Sequence, residues 1–463
     1  MSRAAHTPPR VVPPAARRTS GDRAAPARVA RASASPSTSI SSAGVASTTS
    51  RVQDGAYAWR GHRVHFERGG CDPSVATKHV VFLHGFGVGT FHYERQLLDL
   101  GALVDAETSS TSHRPDEHTA TTCVWALDFV GQGASWPCDE TDERLSYVHE
   151  TDAAPEGFRY SVDTWRDQVM HFLQTVVQPR RGGAYLAGNS LGGYVAALVA
   201  ATETLQQSSA HERNDTTDAV ADEARRSTPR HPTRPSDRLV KGLILLNATP
   251  FWAFAPADEN DPRRRFAPWD GGAPAPRWVR VLFGAYWDAF RSKKNVEGLL
   301  GLVYGDETKI DDALVNAILA PTNREPALGA FCSVVWSPKS AMAFDEAIRA
   351  IRDAPETLPV ALVYGRDDPW VVPLWGQRIK RAVPRAAYYE LPGVGHCPAH
   401  EAPEATNACV AAFVRRSERD ADAEDDAGGS ASETRAAAAR FLVDGTPRNA
   451  FERFAAWRET SRA

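Results

Sequence analysis

Ser190 stands within Gly188-Asn189-Ser190-Leu191-Gly192, a G-x-S-x-G string that follows the apolar run Ala184 to Ala187 and precedes a helical pattern from Leu191 onward. A strand-to-helix turn this sharp strains the serine backbone and tolerates only small neighbours. The hydroxyl then stands at the carboxyl end of a sheet, facing a helix amino terminus; the plainer reading is a turn serine. A serine is a weak nucleophile near neutral pH and needs a base, which itself needs an orienting acid. Chains that use this turn supply the three in the order Ser, acid, His. The acid belongs after a late strand, where "VALVYGRDDPWV" offers Asp368, directly before Pro369, with Asp367 as second choice and a turn cap as the non-catalytic alternative. Asn247, at an earlier strand end, cannot serve as an acid. The base belongs in the loop after the last strand, where "ELPGVGHCPAHEAPE" offers His396; His400 is read as structural or as an outer contact. An oxyanion needs N–H donors, which Leu191 and Phe86 would supply, the latter from "LHGFGVGTFHYERQL". His84 in that loop has no His or Cys at ligand spacing and is read as orienting the loop. No metal or cofactor is expected.

Those side chains need a scaffold. Tyr57 to Gly70 alternates about a glycine-containing turn and reads as a hairpin. Val80 to Leu83, Cys123 to Leu127, Ala184 to Ala187, Leu243 to Leu246 and Val360 to Tyr364 are continuous apolar runs, as in strands buried on both faces of a parallel sheet, and Ala387 to Leu391 is the last strand. Ser161 caps a helix whose apolar residues Val162, Trp165, Val169, Phe172, Leu173 and Val176 keep a helical period, and Pro403 to Arg415 reads as a helix with Pro in its first turn. Alternation of this kind implies an α/β fold, a mostly parallel sheet flanked by helices on both faces. The polar stretches 104–122 and 203–238 read as disordered insertions into the first part of this core, residues 53–249. Residues 250–357 are rich in Trp, Phe and Tyr with helical stretches and read as a cap inserted between two strands. The second part of the core spans 358–416, and 417–463 read as an acidic linker and tail ending in "FERFAAWRE".

The net charge of −4 on 463 residues argues against a nucleic-acid surface. No run of about 18 apolar residues suggests a membrane span. Six scattered cysteines without a CxxC pair suit a reducing compartment and free thiols. Residues 1–52 are rich in Arg, Ala, Ser and Pro and poor in acids, which reads as an organelle transit peptide, with an unaddressed disordered tail as the competing reading.

Taken together, "HGFGVGTFHYERQL", "VWALDFVGQGAS", "GNSLGGYVAAL", "LLNATPFWAF", "VYGRDDPWVVPLWG" and "GHCP" resemble the pheophytinase family over about Tyr57 to Arg415. The elbow and the D-x-x-G-x-G-x-S turn mark only the wider superfamily; "GFGVGTFHYE", "NATPFW" and "YGRDDPWV" are more specific. His400 follows His396 one residue later than in the family form, which leaves its role open. The resemblance implies an α/β-hydrolase fold with a helical cap and a Ser190, Asp368, His396 triad. It further implies a carboxylic-ester hydrolase of the chloroplast stroma that removes phytol from pheophytin. The expected partner is a hydrophobic pigment ester, with peripheral thylakoid contact and other pigment-degrading enzymes as further partners. Trp252, beside "NATPF", is expected to line the pocket, most other cap aromatics forming the cap's own core. The alternatives are another serine α/β-hydrolase, such as a C–C bond hydrolase or general esterase, and a slow-turnover receptor. Dehalogenase and epoxide-hydrolase chemistry would need an aspartate where Ser190 stands.

Overall fold

A computed structural model of the chain describes residues 51–106, 121–138, 158–179, 182–221, 238–250, 262–265, 269–272, 274–354 and 357–427. The hairpin is β1 (Gln53–Trp59) and β2 (His62–Gly70), joined at Arg60 and Gly61, both at positive φ. Seven further strands follow among the described residues: β3 (Lys78–Leu83), β4 (Thr122–Leu127), β5 (Trp136–Pro137), β6 (Ala184–Asn189), β7 (Val240–Leu246), β8 (Val360–Gly365) and β9 (Ala387–Leu391). The sheet order is β1-β2-β4-β3-β6-β7-β8-β9, with the short β5 beside β2. β3, β4 and β6 to β9 pair in parallel, and β2 runs antiparallel to β4. β4, β6 and β8 are buried at every residue, as their unbroken apolar runs require.

One face of the sheet is covered by α1 (Glu94–Asp105), through Leu97 and Leu100, and by the late helix that carries Val410 and Phe413. The other face carries α2 (Val162–Phe172) and α3 (Leu191–Ala221). Ser161 caps α2 as its sequence suggests, its hydroxyl accepting the Thr164 N–H. Between β7 and β8 lie α4 (Arg277–Phe290), α5 (Lys293–Gly301), α6 (Asp312–Leu319), α7 (Ala327–Val335) and α8 (Phe344–Arg352). The last of these is part of the main core: Phe344, Ala347, Ile348 and Ile351 pack with α3 residues beneath the sheet, so the segment 250–357 is not all cap. After β8 come α9 (Pro373–Ala382), α10 (Pro398–Glu401) and α11 (Pro403–Ala427).

The two polar stretches and the acidic linker differ from expectation. Val104 and Asp105 end α1, and Thr122 begins β4, so only the interior of 104–122 lies outside the described residues. Residues 203–221 continue α3 as helix, and 222–237 of the second stretch lie outside the described residues. In both places an acid that looks solvated in the sequence accepts backbone N–H groups of the next strand. Asp105 takes those of Thr121 and Thr122, at 2.8 and 3.0 Å, and Glu203 takes those of Leu239 and Val240. An amide at a strand start otherwise lacks a partner, and burying it unpaired costs about 1–3 kcal/mol. Residues 417–427, read as linker, extend α11, and Glu418 accepts from the Tyr185 hydroxyl and pairs with Lys241 at 2.8 Å. The tail from 428 onward, with "FERFAAWRE" at 451–459, lies outside the described residues.

Candidate active site

Ser190 sits between β6 and α3 at φ 53°, a left-handed conformation that costs a non-glycine residue on the order of 1–3 kcal/mol. The glycines around it are obligatory for a steric reason. A Cβ on Gly188 would strike the Gly192 carbonyl, and one on Gly192 would strike the Leu83 carbonyl. The turn is held on both sides: the Ser190 N–H donates to Leu246 O, and Ser190 O accepts from Gly193, Tyr194 and Thr249. Leu191 is the first residue of α3, where helix N–H groups have no intrahelical partner.

Asp368 and His396 are brought together, as their positions after β8 and β9 suggest. His396 Nδ1 lies 2.7 Å from Asp368 Oδ2, with both residues buried. The same oxygen accepts from Asn247 Nδ2 at 2.6 Å, and Oδ1 accepts the N–H groups of Trp370 and Val371 at 2.8 and 3.0 Å. Burial by itself would push the Asp368 carboxyl up. The charge and hydrogen bond of His396, with the Trp370 and Asn247 donors, outweigh it and hold the carboxyl below its ordinary range. Asp367 is placed elsewhere, its carboxylate accepting the Gly393 N–H. Asn247, at φ 41°, is no acid, yet it has a place that sequence reasoning missed. Its amide clamps Asp368 and accepts the Gly365 N–H. Asn189, the residue before Ser190, donates to His396 O at 2.9 Å and joins the serine turn to the histidine loop.

The loop after β3 is tied from the opposite side. His84 accepts the Phe129 N–H through Nε2 and bonds the adjacent Gly85 carbonyl through Nδ1, an arrangement that ties this loop to the end of β4. A Cβ on Gly85 would come within 3.5 Å of Ser190 Cβ, so this loop passes against the serine. Gly87 N–H donates to Gln132, and Thr90 N–H to Asp128 Oδ1. Phe86 is half-buried, its ring 6.1 Å from that of Phe331 on α7. Phe331 also receives Phe283, Trp287 and Phe290 of α4 at 5.0–5.4 Å, so an aromatic wall reaches from the cap to Phe86. Trp269 stacks on Trp336 within the cap. Trp252 lies outside the described residues, as do Phe251, Phe254 and Phe266. Trp370, exposed and with its ring 6.3 Å from that of His396, is a flat apolar surface beside the histidine that sequence reasoning passed over.

Asp128 anchors this network through His65, whose Nδ1 is 2.7 Å from its carboxylate while Nε2 meets Asp54. Burial opposes charge on His65, but Asp128 and Asp54 outweigh it and raise its pKa from 6.5 to about 9. A raised pKa stabilises the fold fully below 6.5 and loses that contribution as pH rises through about 9. The melting temperature of the wild type is therefore expected to fall between these pH values relative to His65→Gln. Parallel curves for the two proteins across that window would contradict the assignment.

The cap reaches the histidine loop directly. Val303 O accepts the His396 N–H at 2.8 Å, and buried Glu401 accepts Gly305 N–H from the cap and Gly395 and Cys397 N–H on either side of His396, at 2.7–2.9 Å. His400 stacks on buried His92 and meets the Tyr304 hydroxyl at 3.2 Å, a contact between this loop and the cap. Glu401→Ala orphans three amides that fix the loop, and an ångström of misplacement costs about 10²-fold in rate. A kcat loss of about tenfold or more, with partial recovery in Glu401→Gln, is expected. Steady-state kinetics of both variants check it.

A serine in a strained turn at a helix start, a buried Asp–His pair after the last two strands, and the sheet order above describe a known class. The chain matches the alpha/beta hydrolase family over residues 80–408 and belongs to that family. Within it, the chain is similar to the chloroplastic pheophytinase of Arabidopsis thaliana, 33% identical over 371 residues. That match spans 77% of this chain and 65% of the relative's own length. Solved structures similar in fold include a haloalkane dehalogenase variant from Bradyrhizobium elkanii, at 17% identity and TM-score 0.49 over 81% of this chain and all of that one. Another is 2-hydroxy-6-oxo-6-phenylhexa-2,4-dienoate hydrolase from Rhodococcus sp. strain RHA1, at 15% identity and TM-score 0.48 over 79% and 100% of the two chains. The six cysteines are free thiols, and no helix among the described residues is long and apolar enough to cross a membrane.

Proposed function

We propose that this hydrolase is a serine carboxylic-ester hydrolase that removes phytol from pheophytin, acting in the chloroplast stroma. Ser190 Oγ attacks the ester carbonyl while His396 takes its proton. Asp368 holds the imidazole with Nδ1–H toward the carboxylate and stabilises the imidazolium. The N–H groups of Phe86 and Leu191 receive the developing oxyanion, each such donor being worth about 10²–10³ in rate. Collapse of the tetrahedral species breaks the bond to the phytyl oxygen, and His396 returns the proton to the departing alcohol. Water, deprotonated by the same histidine, then releases the acid as pheophorbide.

The substrate rests on one observation above the others, the 33% identity to a pheophytinase. The aromatic wall from Phe86 through Phe331 to α4 supports it, because each buried CH₂ of an alkyl chain contributes about 0.8 kcal/mol. Trp370, exposed beside His396, would offer a face on which a flat tetrapyrrole stacks. Trp252 remains a proposed pocket residue on sequence grounds. The test is incubation with pheophytin, chlorophyll and a short-chain ester. Release of pheophorbide is expected. Hydrolysis of the short ester alone would leave a general esterase, and no turnover of any ester would favour a receptor.

A further inference from the structure

Helix α4 is apolar on two faces. Its inner face, through Phe283 and Trp287, packs on Phe331 and so on the wall beside Phe86. On its outer face Trp278, Val281, Leu282 and Tyr286 are 52%, 63%, 50% and 66% exposed. The stripe runs on to Leu299 and Leu302 of α5, 40% and 58% exposed. Seven of the eleven exposed large hydrophobic residues among the described ones fall in these twenty-six positions, 277–302, so the exposure is a patch and not scatter. A helix apolar nearly all round is ordinarily buried. Among the described residues this one has its outer side exposed.

Charge indicates what such a face suits. Residues 277–302 hold Arg277, Arg280, Arg291, Lys293 and Lys294 against Asp288 and Glu297, a balance of +3 in a chain whose net charge is −4. Arg291 pairs with Asp288 and Lys293 with Asp312, while Arg277 and Lys294 hold no ion pair among the described residues. An exposed apolar stripe with Trp and Tyr, flanked by cations, is the pattern of a helix that lies in a membrane interface with its apolar face among the acyl chains. Burying it against a second copy would bring like charges together.

We propose that the outer face of α4 and α5 docks on a lipid bilayer carrying anionic headgroups. The helix then stands between the bilayer and the aromatic wall, so a long-chain ester dissolved in the membrane passes to Ser190 along apolar surface. This delivery step rests on the ester-hydrolase reading; the docking does not, and the two are measured separately.

The experiment uses the full chain with vesicles of equal parts phosphatidylglycerol and phosphatidylcholine, and with phosphatidylcholine alone. Vesicles with brominated acyl chains should quench the tryptophan fluorescence of the wild type, and Trp278→Phe should lose most of that quenching. Leu282→Glu combined with Tyr286→Glu should weaken sedimentation with the mixed vesicles about tenfold or more, and added salt should weaken that of the wild type. The short-ester activity of this double variant in solution should stay at the wild-type level, which separates docking from catalysis and from misfolding. Quenching that is equal in wild type and Trp278→Phe overturns the proposal. So does a dimer in light scattering that the double variant dissolves while the wild type ignores vesicles, because the face would then join two copies.

Discussion

Ser190→Ala is expected to lower kcat/KM for any ester the protein hydrolyses by on the order of 10⁵-fold, with little change in KM. Alanine keeps the Cβ and the same left-handed turn, so the hydrogen bonds of Ser190 N–H and O to Leu246, Gly193, Tyr194 and Thr249 are unaffected. Thermal unfolding should therefore move little, which separates lost chemistry from lost fold. In the proposed mechanism what disappears is the nucleophile itself, and what remains is the binding surface and the oxyanion donors. Those alone leave a residual rate about 10³–10⁴-fold over water. The measurement is steady-state hydrolysis of a short-chain ester, with the wild type diluted until its signal matches the variant. A Ser190→Ala protein that retains even a tenth of the wild-type rate would remove the serine from the mechanism and leave the strained turn without a catalytic purpose.

Asp368→Asn is expected to cost about 10⁴-fold in kcat. The reason lies in how the carboxylate is surrounded. Both oxygens face donors: Oδ2 meets His396 Nδ1 and Asn247 Nδ2, and Oδ1 meets the Trp370 and Val371 amides. An asparagine must turn its NH₂ group toward one of these sets. Turned toward His396 it takes the proton off Nδ1 and puts it on Nε2, the nitrogen that accepts from Ser190 in the proposed mechanism. Turned the other way it opposes two backbone N–H groups. The same surroundings set a pH dependence. The folded carboxyl titrates below its ordinary value of 3.8, so its contribution to stability is present above 3.8 and is lost as pH falls through the lowered value. The stability gap between wild type and Asp368→Asn should then be full near neutrality and close in acid. Chemical denaturation at a series of pH values reads it. A gap that widens in acid would show that Asp368 enters the fold protonated.

The strands, the cap of α2, the strained turn at Ser190 and the places of Asp368 and His396 after β8 and β9 were legible because each is set by neighbours in the chain. An apolar run of five residues can only be buried on both faces, and a G-x-S-x-G string after such a run has few conformations open to it. Ionisable residues in polar stretches were misread for the same reason. Asp105, Glu203 and Glu418 look solvated locally, and only the return of the next strand or of α11 gives them amides and side chains to bind. The supports of the site were illegible altogether. Asn247 meets Asp368 from 121 positions away, Asn189 meets His396 from 207, and Glu401 joins the cap at Gly305 from 96. Phe331 becomes the centre of an aromatic wall only when α7 is laid against α4 and the β3 loop. The sequence by itself determined which residues could do chemistry and the order in which the elements carry them, because short-range sterics and hydrophobic periodicity act along the chain. The tertiary structure alone decided which polar groups hold those residues in place and which face of α4 is exposed among the described residues. Both depend on where crossover connections return the chain, and no local pattern encodes that.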